Sequence, residues 1–136
     1  MKPALRILLT ALLLGLNSLA CADQLLLIRS SLPFPEAMMA LQNAITSRGY
    51  TVTRVQNVDI GLAKIGYQTD NYKVVFFGKP AEVGQLAEQH PEAIPYLPLN
   101  VAIFAERDNT LLVSSRPGVL ADFFPAEDLK AQFMRW

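Results

Sequence analysis

The sequence predicts a single α+β domain with a mixed or antiparallel sheet. Short apolar runs rich in β-branched and aromatic residues alternate with stretches of helical periodicity. The last two β-rich runs flank Arg107, Asp108 and Asn109, which suit a tight hairpin turn and argue against a purely parallel sheet. Once a leader of 22 residues is subtracted from the chain of 136, the rest has the usual length of one domain with one core.

The leader, residues 1–22, is typical of a bacterial secretory signal peptide. Lys2 and Arg6 introduce an apolar run over residues 7–16, and Ala20 and Ala22 satisfy the small-x-small rule for cleavage. The run is too short to span a bilayer core of about 30 Å. We therefore predict a mature chain that begins at Asp23, forms one domain over residues 23–136 and is periplasmic or secreted.

The alternative for the same segment is a lipoprotein with its lipid on Cys21. Ser18 stands where a lipobox normally carries leucine, so ordinary cleavage is favoured. Cleavage after Ala22 removes the only cysteine of the chain. The mature domain then has no disulfide, and its stability must come from its core.

Composition excludes some partners. The chain has 12 basic and 12 acidic residues, and the leader removes Lys2 and Arg6, so the mature net charge is near −2. This balance gives no electrostatic footprint for nucleic acid or for an anionic membrane surface. No segment after the leader is long and apolar enough for a transmembrane helix.

The first half of the mature chain predicts two strands and two helices. Residues 25–28 are a solid apolar run, expected to be a strand buried on both faces. A helix follows from Pro35 and ends at Arg48 and Gly49, a basic last turn and a capping glycine. Its inner face is predicted to contain Ala37, Met38, Leu41, Ala44 and Ile45. Residues 50–55 alternate like a strand, and Asp59 caps a short helix that reaches residue 65.

The second half predicts three strands and two helices. Residues 72–77 resemble a central, doubly covered strand, with Val74 and Phe76 in the core. A helix over residues 81–89 and a packed crossing loop over residues 93–98 follow. Residues 99–105 and 110–115 form the hairpin, and Pro125 opens a last helix. The predicted order is β-α-β-α-β-α-β-β-α.

The chain has few side chains suited to catalysis, and we predict no catalytic residue, metal ligand or cofactor. His90 is the only histidine, and none of the serines lies in a nucleophile-elbow sequence. His90 with Glu88 or Glu92 would be a poor zinc site, because one imidazole and flexible carboxylates do not supply a rigid ligand set. A capping role at the end of a helix explains His90 more simply.

One turn is a better candidate. Gly78, Lys79 and Pro80 lie between a buried strand and a helix, so Lys79 and the free amides of the first helical turn are placed to meet an anion. The alternative is that Gly78 and Pro80 only shape the turn.

The C-terminal residues indicate a partner. Phe123, Phe124, Phe133 and Trp136 crowd the last fourteen residues, more apolar surface than one short helix hides. Part of this surface is predicted to form the face of a homodimer.

Several of these segments together resemble domain-of-unknown-function family 302. The centre of the resemblance is a Phe-Gly-x-Pro turn, Phe77 to Pro80, followed about twenty residues later by Leu-Pro-Leu at Leu97 to Leu99. The resemblance implies an α+β fold with a curved, largely antiparallel sheet backed by helices, similar to TATA-binding-protein-like architectures. It implies no established activity. Lys64 and Tyr67, from a matching segment of the family pattern, are expected neighbours of the Lys79 turn.

Two hypotheses of function follow. The first is an exported, non-catalytic binding or interaction domain, homodimeric and able to hold a small anionic ligand. The second is a small enzyme or a cofactor- or metal-carrying domain centred on Lys79, Lys64 and His90. The first is favoured, because one histidine and no thiol leave few groups for catalysis.

Overall fold

A computed structural model of the chain describes residues 24–136. The predicted signal peptide, Cys21 and the predicted mature terminus Asp23 lie outside the described residues. Over residues 24–136, no helix is long and apolar enough to cross a membrane.

Five strands form one open sheet in which every neighbouring pair is antiparallel. The order across the sheet is β1-β5-β4-β3-β2. The strands are β1 Leu25–Ser30, β2 Thr51–Asn57, β3 Tyr72–Gly78, β4 Leu99–Glu106 and β5 Asn109–Ser115. This sheet, backed by helices, confirms the predicted α+β class and the antiparallel alternative.

Four α-helices connect or follow the strands: α1 Phe34–Ser47, α2 Val58–Lys64, α3 Pro80–Gln89 and α4 Glu127–Arg135. Two segments are 3₁₀-helices, Pro91–Tyr96 and Pro117–Phe123. The first replaces the predicted crossing loop, and Pro91 stands in its first turn, where a missing N–H costs nothing.

Helix α1 packs on one face of the sheet and forms the first core cluster. Ala37 and Ile45 of α1 contact Val75 of β3 and Ile103 of β4, and all four are buried. The helix ends as its sequence predicts, because Gly49 has a φ of 78°, a left-handed conformation that glycine adopts without strain. The predicted inner face of α1 is confirmed at Ala37 and Ile45.

Two predictions about the burial of strands are wrong. Residues 25–28 were expected to be buried on both faces, but β1 is an edge strand whose Leu25, Leu27 and Ile28 are all about 60 % exposed. Strand β3 does lie inside the sheet, yet only Val75 is fully buried, while Val74 and Phe76 are half-buried on the other face. An apolar run predicts where a strand lies along the chain, but not how many faces of that strand are covered by other elements.

A second core cluster is formed by α3, α4 and the two 3₁₀-helices. Its buried members are Leu86, Ala93, Ala121, Phe124, Leu129 and Phe133, with Trp136 packed against them. Phe133 stacks on Phe124 at 5.5 Å and meets the edge of Trp136 at 5.9 Å between ring centroids. Of the four C-terminal aromatic side chains that predicted a dimer face, three therefore pack in this cluster, and Phe123 alone remains 74 % exposed.

Gly78 lies at the end of β3, where the strand packs closely against helix α3. A Cβ atom at this position would lie 2.8 Å from Cγ2 of Val83 and 3.5 Å from Cβ of Pro98. The close approach requires a residue without a side chain, because the valine is stiff at χ1 and Gly78 is buried. The role of Gly78 is packing between β3 and α3.

Candidate functional site

A cavity of about 310 Å³ lies where α1 ends beside the sheet. The strand ends meet there, since Leu25 pairs with Ser115 and Phe77 pairs with Leu99. Its apolar and aromatic walls include Leu26, Ile45, Tyr50, Phe77, Leu99 and Trp136. Such a lining is typical of small-molecule sites, which are mostly apolar with a few polar groups.

Arg48 supplies the cavity with a positive charge. Its Nη1 donates to the Ala44 carbonyl at 3.2 Å, and no carboxylate among residues 24–136 forms an ion pair with it. Ser114, by contrast, already donates its hydroxyl to the Asn100 carbonyl at 2.7 Å. Arg48 is therefore the group on this wall best able to bind an anion.

Lys79 contacts the Tyr50 ring, which forms another wall of the cavity. Its Nζ lies 5.1 Å from the centre of the Tyr50 ring and 3.6 Å from Oε1 of Glu82. The Tyr50 ring also meets Phe77 edge-on at 5.8 Å. Lys79 thus holds an aromatic wall of the cavity through a cation–π contact, while its charge is shared with Glu82.

Glu82 weakens the case for an anion at the start of α3. Its Oε2 accepts from the indole Nε1 of Trp136 at 3.0 Å and lies 3.4 Å from Nε2 of Gln132. A carboxylate in the first turn already complements the helix dipole. An external anion at Lys79 would therefore meet a negative charge that is fixed by contacts to α4 and Trp136.

The five residues predicted to contact ligand do not share one location. Gly78 pairs with Thr51 at one end of β2, and Lys79 and Pro80 follow it. Lys64 is the last residue of α2, and Tyr67 follows the helix. Helix α2 begins beyond the other end of β2, where Asn57 pairs with Lys73. Seven strand residues separate these ends by about 20 Å. The structure brings Lys79 to the wall of the cavity and leaves Lys64 and Tyr67 elsewhere.

His90 links α3 to α4. Its side chain is only 12 % exposed, with Nε2 2.8 Å from Oδ2 of Asp128 and Nδ1 3.3 Å from Oε1 of Glu92. The hydrogen bond to Asp128, more than any other cause, raises the pKa of His90 above its usual 6.5. The same bond lowers the pKa of Asp128 below its usual 3.8. The arrangement is that of a structural ion pair.

This pair predicts a pH-dependent stability. The folded state raises the pKa of His90, so protonated His90 stabilises the folded protein. This contribution is fully present below about pH 6.5 and is lost as the pH rises through the pKa of the folded state. The Asp128 contribution is lost as the pH falls below about 4. We therefore expect Asp128→Asn to reduce stability in urea unfolding at about pH 5.5 and to have a smaller effect at about pH 8.5.

Glu127→Gln is the matched control, because Glu127 lies in the same turn and pairs with Lys130 rather than with His90. Its pH profile should follow that of the wild type. A stability difference between Asp128→Asn and wild type that does not change between the two pH values would contradict the ion pair.

The groups of the enzyme hypothesis are also dispersed. Lys79 precedes α3 and His90 follows it, about 15 Å apart along a ten-residue helix, and Lys64 ends α2. Over residues 24–136, no group of three or more His, Cys, Asp or Glu side chains is arranged to hold a metal ion. The structure forms no cluster around Lys79, Lys64 and His90.

Comparison with known proteins defines the family. The profile described as Domain of unknown function DUF302 matches residues 27–134. The chain belongs to this family. A DUF302 protein with a similar structure is an uncharacterized conserved protein from Bacillus stearothermophilus, whose crystal structure matches with a TM-score of 0.73 and 16 % sequence identity. The match covers 84 % of this chain and 90 % of that one. A search of functionally curated proteins returns no match.

Within this DUF302 domain, the sequence did not single out Arg48 or the cavity. Arg48 precedes Gly49 at the end of α1, where a basic residue is fully explained by helix capping. The cavity is formed by α1, four strands and Trp136, which are far apart along the chain. No local motif encodes such a site, although an arginine beside an aromatic residue, Tyr50, is a weak signal.

Proposed function

We propose that this DUF302 domain is an exported binding domain for a small, largely apolar ligand that carries one anionic group. The observation that carries the proposal is the cavity of about 310 Å³, with apolar and aromatic walls and an arginine that no carboxylate of residues 24–136 pairs with. The apolar body of the ligand packs against Tyr50, Phe77 and Trp136, and its anion binds Arg48.

Export belongs to the same proposal. We infer that the signal peptide is cleaved after Ala22 and that the mature protein begins at Asp23 in the periplasm or outside the cell. The position of β1 supports this site, because the first strand begins at Leu25 and cleavage leaves the whole sheet intact. The intact mass of the exported protein distinguishes this terminus from a diacylglyceryl group on Cys21.

Trp136 provides a direct measurement of binding. It is the only tryptophan of the chain and lines the cavity. We expect octanoate, a probe with an apolar chain and one carboxylate, to change the Trp136 fluorescence in a saturable way. Arg48→Ala should weaken octanoate binding by about tenfold or more, because it removes a charge-assisted hydrogen bond worth about 1.5–3 kcal/mol.

The controls separate charge from shape. 1-Octanol carries no anion, so Arg48→Ala should leave its weaker binding unchanged. Lys64→Ala removes an exposed cation away from the cavity and should bind octanoate like the wild type. The octanoate affinity of Lys79→Ala should lie between those of Arg48→Ala and Lys64→Ala. The charge of Lys79 is paired with Glu82, but its ammonium group also contacts the Tyr50 ring. Octanoate that leaves the fluorescence unchanged, or binds Arg48→Ala as well as wild type, would refute the proposal.

A further inference from the structure

Strand β1 differs from the other strands in being exposed on both faces. Leu25, Leu27 and Ile28 are 61 %, 59 % and 60 % exposed, and Leu26 is 39 % exposed. On the α1 side, Leu26 and Ile28 line a mostly apolar gap of about 130 Å³ beside Leu41. Four consecutive apolar side chains at an edge strand are an exceptional surface for a folded protein, and they indicate that something covers them.

The outer backbone of β1 is also available for pairing. The carbonyl of Gln24 accepts from the amide of Arg116 at 3.0 Å, so the even-numbered residues of this strand direct their main-chain groups toward β5. The main-chain groups of Leu25, Leu27 and Arg29 then point away from the sheet. Over residues 24–136, no strand pairs with this side of β1.

The other edge of the sheet is protected in the usual way. Strand β2 changes register between Val52 and Arg54, and such a bulge disrupts the regular outer edge. Its exposed residues include Arg54 and Gln56, which are polar. Strand β1 has no bulge, no proline and no lysine. The open edge is therefore specific to β1.

The charges of β1 favour a second copy of the same chain as the partner. In a two-fold antiparallel pairing, the residue on the axis lies opposite the same residue of the second copy. An unpaired charge at that position would therefore be repelled by the identical charge of the other copy. Residues 25–28 carry no charge, and the one charged side chain, Arg29, is bound to Glu106 with Nε–Oε2 at 2.7 Å and Nη2–Oε1 at 3.1 Å. The strand is thus self-complementary: an apolar centre beside an arginine that its own subunit neutralises.

We propose that two copies of this DUF302 domain pair antiparallel along β1 and form a continuous ten-stranded sheet. Leu27 lies opposite Leu27 of the second copy, and Leu26 lies opposite Ile28 of the second copy. This register keeps side chains of the same face together, which strand pairing requires, and matches apolar residues with each other over residues 26–28. Leu26 belongs both to this interface and to the wall of the ligand cavity, whereas the C-terminal aromatic residues are not part of the interface.

The first test is the oligomeric state of the processed protein by sedimentation velocity. We expect wild type to have twice the mass of one chain and Leu27→Lys to have the mass of one chain, because an edge lysine prevents strand pairing. Gln56→Lys places the same charge on the opposite edge strand and should remain dimeric. Circular dichroism of the three proteins checks that each is folded.

The second test fixes the register. In a background of Cys21→Ser, Leu27→Cys should form an intermolecular disulfide on oxidation, because opposed residues of a hydrogen-bonded pair have Cα atoms about 5.5 Å apart, within the range for disulfides. Leu25→Cys lies opposite Arg29 of the second copy and should not cross-link. A folded wild type that stays monomeric, a dimeric Leu27→Lys, or equal cross-linking at both positions would overturn the proposal.

Discussion

Replacing Phe133 with alanine is expected to lower the free energy of unfolding by about 3–5 kcal/mol. Phe133 is only 1 % exposed and lies at the centre of the second core cluster, stacked on Phe124 and in edge contact with Trp136. The substitution removes the largest fully buried side chain of the described residues and leaves a cavity that the surrounding helices fill only in part. Urea unfolding of wild type and variant measures the loss.

Phe123→Ala is the matched control, because it removes the same side chain from a position that is 74 % exposed. Its effect should stay within about 0.5 kcal/mol. The Phe133 variant should also shift the Trp136 emission, since Phe133 contacts that ring. A loss below about 1 kcal/mol for Phe133→Ala would show that the cluster contributes little to folding.

The parts of the fold that were predicted correctly depend on local signals. Helix α1 has apolar residues at helical spacing and ends at Gly49, whose left-handed φ the sequence anticipates. The hairpin between β4 and β5 follows from two β-rich runs around Arg107 and Asp108. Residues three to five apart determine such features, so one sequence is sufficient to find them.

The errors concern contacts between distant segments. The apolar runs of β1 and β3 predicted strands covered on both faces, whereas helix α1 covers one face only and β1 lies at the edge. Strand β2 shows a related effect: its bulge brings Val52 and Val55 into the same core cluster, although strict alternation places them on opposite faces. The periodicity of one strand encodes neither the number of its faces that other elements cover nor the position of a bulge.

The candidate site shows the same limit. Lys79 was singled out as the cation of a turn, and the structure places it against Tyr50 at the cavity wall. Lys64 and Tyr67 were grouped with it because they belong to one family pattern, but such a pattern also records residues that maintain the fold at other places. The contact of Glu82 with Trp136 joins segments that are far apart along the chain, so it is visible only in the structure.

Replacing Ile103 with alanine is expected to lower the free energy of unfolding by about 2–5 kcal/mol. Ile103 is fully buried on β4, the central strand of the sheet, where it packs with Ala37, Ile45 and Val75 under helix α1. Ile103→Val removes one methylene group and should lose only about 0.5–1.5 kcal/mol.

Phe76→Ala tests the same layering from the other face. The sequence predicts a loss of about 3–5 kcal/mol for this variant, as for a fully buried phenylalanine. Because Phe76 is half-buried on the face that α1 does not cover, we now expect it to lose less than Ile103→Ala, although it removes a larger side chain. Urea unfolding of the three variants in one buffer gives the order directly. A greater loss for Phe76→Ala than for Ile103→Ala would mean that the second face is also covered in solution, and would contradict a core that lies between α1 and one face of the sheet.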